Sequence, residues 1–74
     1  MNLRALRKRA GLRIIDVASE LNCAQSSIRN WEKGRTTPMM EVWQVFRLRD
    51  LYQCTEAELK QAVKESMLAK ETLP

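Results

Sequence analysis

Apolar residues recur at helical spacing along this chain of 74 residues, and the pattern predicts five helices and no strands. The predicted helices cover about 2–9, 13–21, 25–33, 39–52 and 55–71. Four apolar residues of the second helix share one face, because they lie at positions i, i+3, i+4 and i+7: Ile14, Val17, Ala18 and Leu21. The expected architecture is therefore all-α, in a single domain over 1–74 whose last helix is extended.

Residues with special backbone preferences mark the predicted helix ends. Gly11 and Gly34 follow the first and third helices, and glycine commonly ends a helix. Asn22 lies where the chain must turn between helices two and three, and Asn tolerates the left-handed conformation. Pro38 suits the first turn of helix four, because no amide donor is needed there. Side-chain caps are expected from three further residues: Asn2, Thr55 and Glu58.

The third helix is predicted to have two chemically different faces. Its inward side carries Ala24, Ser27, Ile28 and Trp31. Its outward side carries Gln25, Ser26, Arg29 and Asn30. Amide, hydroxyl and guanidinium groups together suit the reading of base edges in a DNA major groove. The alternative interpretation is a solvated polar face without a ligand.

The stretch over 12–38 resembles the helix-turn-helix of the phage repressor and Cro family, the XRE-type regulators. The resemblance covers roughly 3–59. Its strongest motif combines the turn with four elements in register: Ala18, Ile28, Glu32-x-Gly34 and Pro38. It implies a repressor-like domain of five helices in which helices two and three form the helix-turn-helix. It also implies a sequence-specific transcriptional regulator that places its third helix in the major groove of double-stranded DNA.

The resemblance assigns roles to individual residues. Base reading is expected from the outward four of helix three: Gln25, Ser26, Arg29 and Asn30. Phosphate contacts, which set register without reading sequence, are expected from four residues: Arg13, Lys33, Arg35 and Thr36. The family commonly has a phosphate-binding Gln at the position of Ile14, and Ile cannot make that bond, so one backbone contact is expected to be either lost or taken over by Arg13. Three more cations, whose orientations the sequence does not fix, are expected to add to this phosphate-binding charge: Arg4, Lys8 and Arg9.

A structural ion pair is also implied by the resemblance. Related proteins pair a buried Glu with an Arg of the first helix, and Glu32 and Arg7 stand at the matching positions. This pair would tie helix one to the reading helix. The alternative is an exposed and weak pair, the common outcome for Arg/Glu pairs inferred from sequence. Ala24 departs from the family, because a Ser or Thr cap is usual there, and its presence should cost helix three about 1 kcal/mol.

The distribution of charge favours a polyanionic partner. The formal net charge is +4, and residues 1–49 carry ten Lys or Arg against four Asp or Glu. Residues 50–74 carry three Lys against five acids. A basic body with a mildly acidic tail fits a domain that lays one part on nucleic acid. The alternative is an ordinary, modestly basic soluble protein.

Several function classes lack the residues that they need. There is no histidine, and Cys23 and Cys54 are far apart, so no metal site is expected and both thiols are interpreted as buried and free. No Gly-rich phosphate loop or paired carboxylates stand out, so neither an enzyme nor a cofactor is expected. No signal peptide or membrane segment is visible, which predicts a cytoplasmic protein, associated with the nucleoid through DNA. Without a separate sensing domain, no small-molecule effector is expected.

Helix four carries apolar residues on more than one stripe, which exceeds what one buried face needs. Trp31 and Trp43 are interpreted as core anchors. The surplus is interpreted as the contact surface of a homodimer, with four candidates: Val45, Leu48, Met67 and Leu68. The alternative is that these four complete the core. Two copies on half-sites about 34–36 Å apart would match a palindromic operator. The rival function is a protein-binding module of antitoxin or scaffold type.

Overall fold

The computed structural model describes residues 1–71, with side chains through residue 68. It contains five helices: α1 (Leu3–Arg9), α2 (Ile14–Leu21), α3 (Gln25–Glu32), α4 (Val42–Tyr52) and α5 (Glu56–Glu71). The described residues contain no strand, so the predicted all-α class is confirmed. The end of the predicted single domain, at 72–74, lies outside the described residues. Within residues 1–71 no helix combines the length and the apolar character needed to cross a bilayer.

Most helix ends follow the residues that predict them. The Asn2 side chain accepts a hydrogen bond from the Ala5 amide at 2.8 Å. Asn22 adopts the left-handed conformation with φ 54°, which turns the chain between α2 and α3. Gly34 has φ 70°, a conformation that suits glycine, and α3 ends just before it.

A reciprocal capping box opens α5, as the sequence predicts. The Glu58 amide donates to Thr55 Oγ1 at 3.1 Å, and the Thr55 amide donates to Glu58 Oε1 at 2.9 Å. Two of the amides that have no partner within the helix are thereby satisfied. The Thr55 amide, together with Arg9, lowers the pKa of the Glu58 carboxyl. The carboxylate is thus the form that holds this helix start.

The predicted start of α4 is wrong by three residues. The helix begins at Val42, and Pro38 lies before it in non-helical chain rather than in its first turn. Gln44 explains the difference, because its side-chain amide forms hydrogen bonds at the ends of two helices. Its Oε1 accepts from the Glu41 amide at 2.8 Å, while its Nε2 donates to the Leu21 carbonyl at 2.7 Å. Gln44 therefore caps the start of α4 and the end of α2 together.

The core lies where the five helices meet. The α2 helix packs against α3 and α4, and α1 packs against α3, α4 and α5. Eleven buried apolar residues form it: Leu3, Leu6, Val17, Ala18, Leu21, Ile28, Trp31, Leu48, Tyr52, Leu59 and Ala62. Each fully buried aliphatic side chain contributes about 1.5–3 kcal/mol relative to exposure. The interpretation of Trp31 as a core anchor is confirmed.

The interpretation of Trp43 as a second core anchor is wrong. Trp43 is 48% exposed, and its indole nitrogen donates to the Glu41 carboxylate at 2.8 Å. The reason is geometric, since α4 buries the opposite face through Leu48 and Tyr52. Leu48 is 1% exposed, so it belongs to the core and cannot lie on a dimer surface as predicted. Ala24, predicted to face inward, is exposed at the start of α3.

Four exposed apolar residues, called here the α4 stripe, lie in the first turns of α4 and just before it: Met39, Val42, Trp43 and Phe46. Val42, Trp43 and Phe46 lie within an arc of about 100° on α4, whereas Met39 precedes the helix in non-helical chain. Met39 is the most exposed of them, at 82%. The Arg49 guanidinium lies 5.3 Å from the centre of the Phe46 ring, in a cation–π arrangement.

A sheltered ion pair joins α1 to α3, as the sequence predicts. Arg7 Nε lies 2.7 Å from Glu32 Oε2, and Arg7 Nη2 lies 3.0 Å from Glu32 Oε1. The remaining nitrogen, Nη1, donates to the Leu12 carbonyl at 3.0 Å, which ties in the loop before α2. Both side chains are less than a tenth exposed. The Glu32 carboxylate raises the pKa of Arg7, so the guanidinium stays charged.

Two arginines form interhelical contacts that were not among the predicted ones. Arg9 contacts Glu58 at 3.2 Å and donates to the carbonyls of Tyr52 and Gln53 at the end of α4. Arg47 on α4 pairs with Glu20 on α2, with Nε and Oε2 3.1 Å apart. Both contacts join residues that lie 27 or more positions apart in the chain, so local patterns do not reveal them.

The first prediction concerns the Arg7–Glu32 pair. Glu32→Ala should lower the free energy of unfolding by about 3 kcal/mol, because it leaves the Arg7 guanidinium buried without its partner. Urea unfolding followed by circular dichroism measures the loss. The matched control is Asp50→Ala, which removes an exposed acid and should change stability by no more than about 0.5 kcal/mol.

Replacing both partners separates a stranded charge from lost packing. The double variant Arg7→Met/Glu32→Leu carries no buried charge and should be more stable than Glu32→Ala alone. Equal unfolding free energies for Glu32→Ala and Asp50→Ala would show that the pair does not stabilise the fold.

The second prediction concerns the start of α3, where Ala24 makes no side-chain cap. Ala24→Ser should raise the free energy of unfolding by about 1 kcal/mol, because its hydroxyl can accept from an amide of the first turn. The control Ala57→Ser places the same change in the first turn of α5, where Thr55 already provides the cap, so no gain in stability is expected. A stability gain at both positions, or at neither, would contradict the capping explanation.

Candidate nucleic-acid interface

The α3 helix presents a polar face because its apolar residues are fixed inward. Ile28 and Trp31 are buried in the core, which sets the rotation of the helix about its axis. Three of the predicted base-reading residues are exposed as a result, and Asn30 is half-buried. These three are Gln25, Ser26 and Arg29. The four therefore share the side of α3 that faces away from the core.

The turn before α3 holds this face in place. The Asn22 amide bonds back to the Ala18 and Ser19 carbonyls at the end of α2, and the Cys23 amide donates to the Ala18 carbonyl at 3.0 Å. Ala18 is buried and small, which leaves room for α3 to pack close to α2. The helix-turn-helix geometry thus follows from a left-handed Asn and an Ala at the contact.

Two of the predicted readers contact each other. Arg29 Nη2 donates to Gln25 Oε1 at 3.3 Å, across one helical turn. This bond limits the freedom of the guanidinium and leaves its remaining donors available for a partner. A guanidinium fork matches the O6 and N7 acceptors of guanine, and a Gln amide matches the N6 and N7 groups of adenine. The arrangement can recognise purine edges once α3 lies in a major groove.

The loop after α3 carries the predicted phosphate-binding residues on its surface. Lys33, Arg35 and Thr36 are all exposed. The Arg35 amide donates to the Asn30 carbonyl at 2.9 Å, which holds the loop against the end of α3. The left-handed Gly34 between Lys33 and Arg35 makes this sharp return possible. The loop therefore places its cations beside the polar face of α3.

Arg13 lies on the surface at the start of α2, but it has an acidic partner. Its guanidinium contacts Asp16 Oδ1 at 3.0 Å and Asp16 Oδ2 at 3.1 Å, and its amide donates to the same carboxylate at 2.9 Å. Hydrogen bonding to Asp16 raises the pKa of Arg13, and hydrogen bonding to Arg13 lowers that of Asp16. The predicted phosphate contact by Arg13 must therefore compete with Asp16.

The four basic residues of α1 differ in what they contact. Arg7 is sheltered with Glu32, and Arg9 contacts the end of α4. Arg4 and Lys8 are exposed. Sequence patterns did not separate these roles, because all four lie within six positions of the same short helix.

The two cysteines are free and half-buried in the structure. Burial raises the pKa of both thiols, so they stay protonated at neutral pH. Among the described residues, no group of three or more metal-binding side chains is positioned to hold an ion.

Comparison with known proteins places this chain in a family. The helix-turn-helix domain family matches residues 1–62, which include α1 to α4 and the first part of α5. No curated protein and no solved structure matches the chain. Proteins of this family carry DNA-binding domains and are typically not enzymes. The match agrees with the resemblance to the XRE-type regulators, and it covers the complete α2–turn–α3 unit. This chain belongs to the helix-turn-helix domain family.

Proposed function

We propose that this protein is a sequence-specific transcriptional regulator that binds double-stranded DNA with α3 in the major groove. The observation that carries the proposal is the polar face of α3, where Gln25, Ser26 and Arg29 are exposed beside half-buried Asn30. The donors and acceptors of these side chains match those of purine edges. The buried Ile28 and Trp31 support this assignment, because they prevent α3 from rotating the polar face away.

Phosphate contacts by the loop after α3 would fix the register of the helix on DNA. The proposed donors are Lys33, Arg35 and Thr36, with Arg13 at the start of α2. The exposure of all four and the concentration of positive charge in residues 1–49 support these roles. Such contacts add affinity for any sequence and make binding sensitive to salt.

The α4 stripe supports a second candidate function, a protein-binding module on the same fold. Its four apolar residues are between 48% and 82% exposed, and neighbouring exposed apolar residues of this kind often mark interaction sites. A salt titration on random duplex separates the two functions. A DNA-binding protein loses affinity steeply with salt, whereas a module that binds only proteins has little affinity to lose.

We also propose that the regulator acts as a homodimer on a palindromic operator, with half-sites about 34–36 Å apart. One short reading helix contacts few base pairs, and a second copy doubles the site. The α4 stripe supports this proposal, since a second copy packed against it would remove exposed apolar side chains from water. Val45, Met67 and Leu68 remain candidates as well, because all three are exposed.

The third prediction concerns base reading. A cognate site is first selected from random DNA. Gln25→Ala and Asn30→Ala should then weaken binding to that site by about 1–3 kcal/mol each, because each removes donors to a base edge. Binding to random duplex should barely change. Fluorescence anisotropy on both duplexes at one salt concentration measures the difference.

A matched control for this prediction is Gln61→Ala on α5, which removes an exposed Gln away from the polar face of α3. Its affinity for both duplexes should equal that of the wild type. Equal losses on cognate and random DNA in the α3 variants would mean that these residues do not read bases.

The fourth prediction concerns the dimer surface. Phe46→Glu places a charge in the α4 stripe and should shift sedimentation at micromolar concentration from dimer towards monomer. Leu68→Glu is the matched variant on α5, and the wild-type dimer should persist in it. The reverse pattern would move the interface to Met67 and Leu68. A wild type that binds as a monomer to a single, non-repeated site would contradict the dimer.

A further inference from the structure

A cleft lies between the start of α1 and the last turns of α3, with the start of α2 at its side. Its volume is about 460 Å³. Seven residues line it, most of them charged: Asn2, Arg4, Arg7, Ile14, Arg29, Glu32 and Lys33. The residues come from three helices and the flanking positions, so the cleft exists only in the folded protein.

The charges of this cleft do not balance. Arg7 and Glu32 neutralise each other in their sheltered ion pair. The remaining lining charges are Arg4, Arg29 and Lys33, all positive and all exposed. In the part of the chain that the structure describes, Arg4, Arg29 and Lys33 form no ion pair, and the Arg29 guanidinium donates to the neutral Gln25 amide. Three like charges on one concave surface repel, and an anion bound there would relieve the repulsion.

Ile14 forms an apolar edge of this cleft. It stands at the first position of α2, half-buried at the edge of the cleft, and its side chain offers no hydrogen-bond donor. The hydrogen bonds to a bound anion must therefore come from the cations, and a guanidinium suits this because its planar fork binds phosphate oxygens in pairs. Arg4 is suited to this task, since it lies on the wall that α1 contributes.

The cleft also adjoins the face of α3 that carries the proposed readers. Arg29 belongs to both, because it lines the cleft and contacts Gln25. Lys33 likewise belongs to the cleft and to the loop after α3. A duplex that places its major groove on α3 would therefore bring a strand of its backbone to this cleft.

We propose that the cleft binds one phosphate of the DNA backbone, with Arg4 as its principal donor and Lys33 as the second cation. The inference rests on the proposed function and deepens it, because it assigns one backbone contact to a cleft that α1 helps to form. Arg4 contributes affinity for every sequence and none of the base discrimination.

Salt titration on random duplex tests the role of Arg4. Arg4→Ala should reduce the slope of log affinity against log salt by about 0.9, the value for one phosphate contact. The affinity advantage of the wild type should accordingly shrink about 3.5-fold between 50 and 200 mM salt. The loss should be the same on cognate and random duplexes. Lys8→Ala is the matched control, since it removes one exposed positive charge from the same helix outside the cleft.

Two further measurements locate the contact. Arg4→Lys keeps the charge, so it should restore the slope while binding more weakly than the wild type. A scan of duplexes with a single neutral methylphosphonate should find one backbone position that weakens the wild type and leaves Arg4→Ala unaffected. Melting temperatures equal to that of the wild type show that Arg4→Ala remains folded.

The outcomes separate this inference from the function on which it rests. If the wild type binds duplex with a steep salt dependence but Arg4→Ala and Lys8→Ala behave alike, the cleft site is wrong and the function stands. If the wild type shows no salt-dependent binding to duplex, the proposed function fails and the DNA-phosphate site fails with it. Stabilisation by inorganic phosphate that Arg4→Ala abolishes would then assign the cleft to a free anion.

Discussion

The sheltered ion pair between Arg7 and Glu32 fixes the relation between α1 and α3, and much of the surface chemistry depends on it. Ion pairs out of water are stabilising only when their geometry is good and their remaining hydrogen-bonding groups are satisfied. Here the guanidinium contacts both carboxylate oxygens and the Leu12 carbonyl. All three of its nitrogens are thus engaged. The pair joins α1, the following loop and α3 at one point, so α3 cannot shift without breaking it.

This constraint also determines which charges remain at the surface. Glu32 lies on the same helix as the proposed base readers, and a free carboxylate there would repel DNA. Pairing with Arg7 neutralises it and leaves Arg4, Arg29 and Lys33 as the net charge of the adjoining cleft. One interaction therefore stabilises the helix packing and makes the proposed binding surface positive.

The small core and the exposed α4 stripe indicate that a partner would stabilise this chain. A chain of this length buries only about 60% of its unfolded surface, which leaves stability marginal. The α4 stripe has the residue types of a buried helix face, yet the described residues leave it exposed. Covering it with a second copy would add burial that the single chain lacks. DNA that holds two copies side by side would favour the same contact by raising their effective concentration.

Local features of the sequence determined the five helices and most of their ends. Asn2, Asn22, Gly34 and the Thr55–Glu58 box act through their own backbone or within a few residues, so their effects could be predicted from position. The polar face of α3 was predictable for the same reason, since Ile28 and Trp31 fix the helical period. The Arg7–Glu32 pair was predicted from the resemblance to repressors, because periodicity alone does not identify such a pair.

Only the tertiary structure decided which of several equivalent residues took each role. The sequence offers two apolar stripes on α4, and packing against α2 buried the one with Leu48 and exposed the one with Trp43. The sequence contains four basic residues on α1. In the folded protein, Arg9 contacts the end of α4, which is distant in sequence, whereas Arg4 lines the cleft. Gln44 likewise sets the start of α4 at Val42 rather than at Met39, because its side chain bonds both to the Glu41 amide and to the Leu21 carbonyl at the end of α2. Patterns specify which residues can share a face, whereas long-range contacts decide which face is buried.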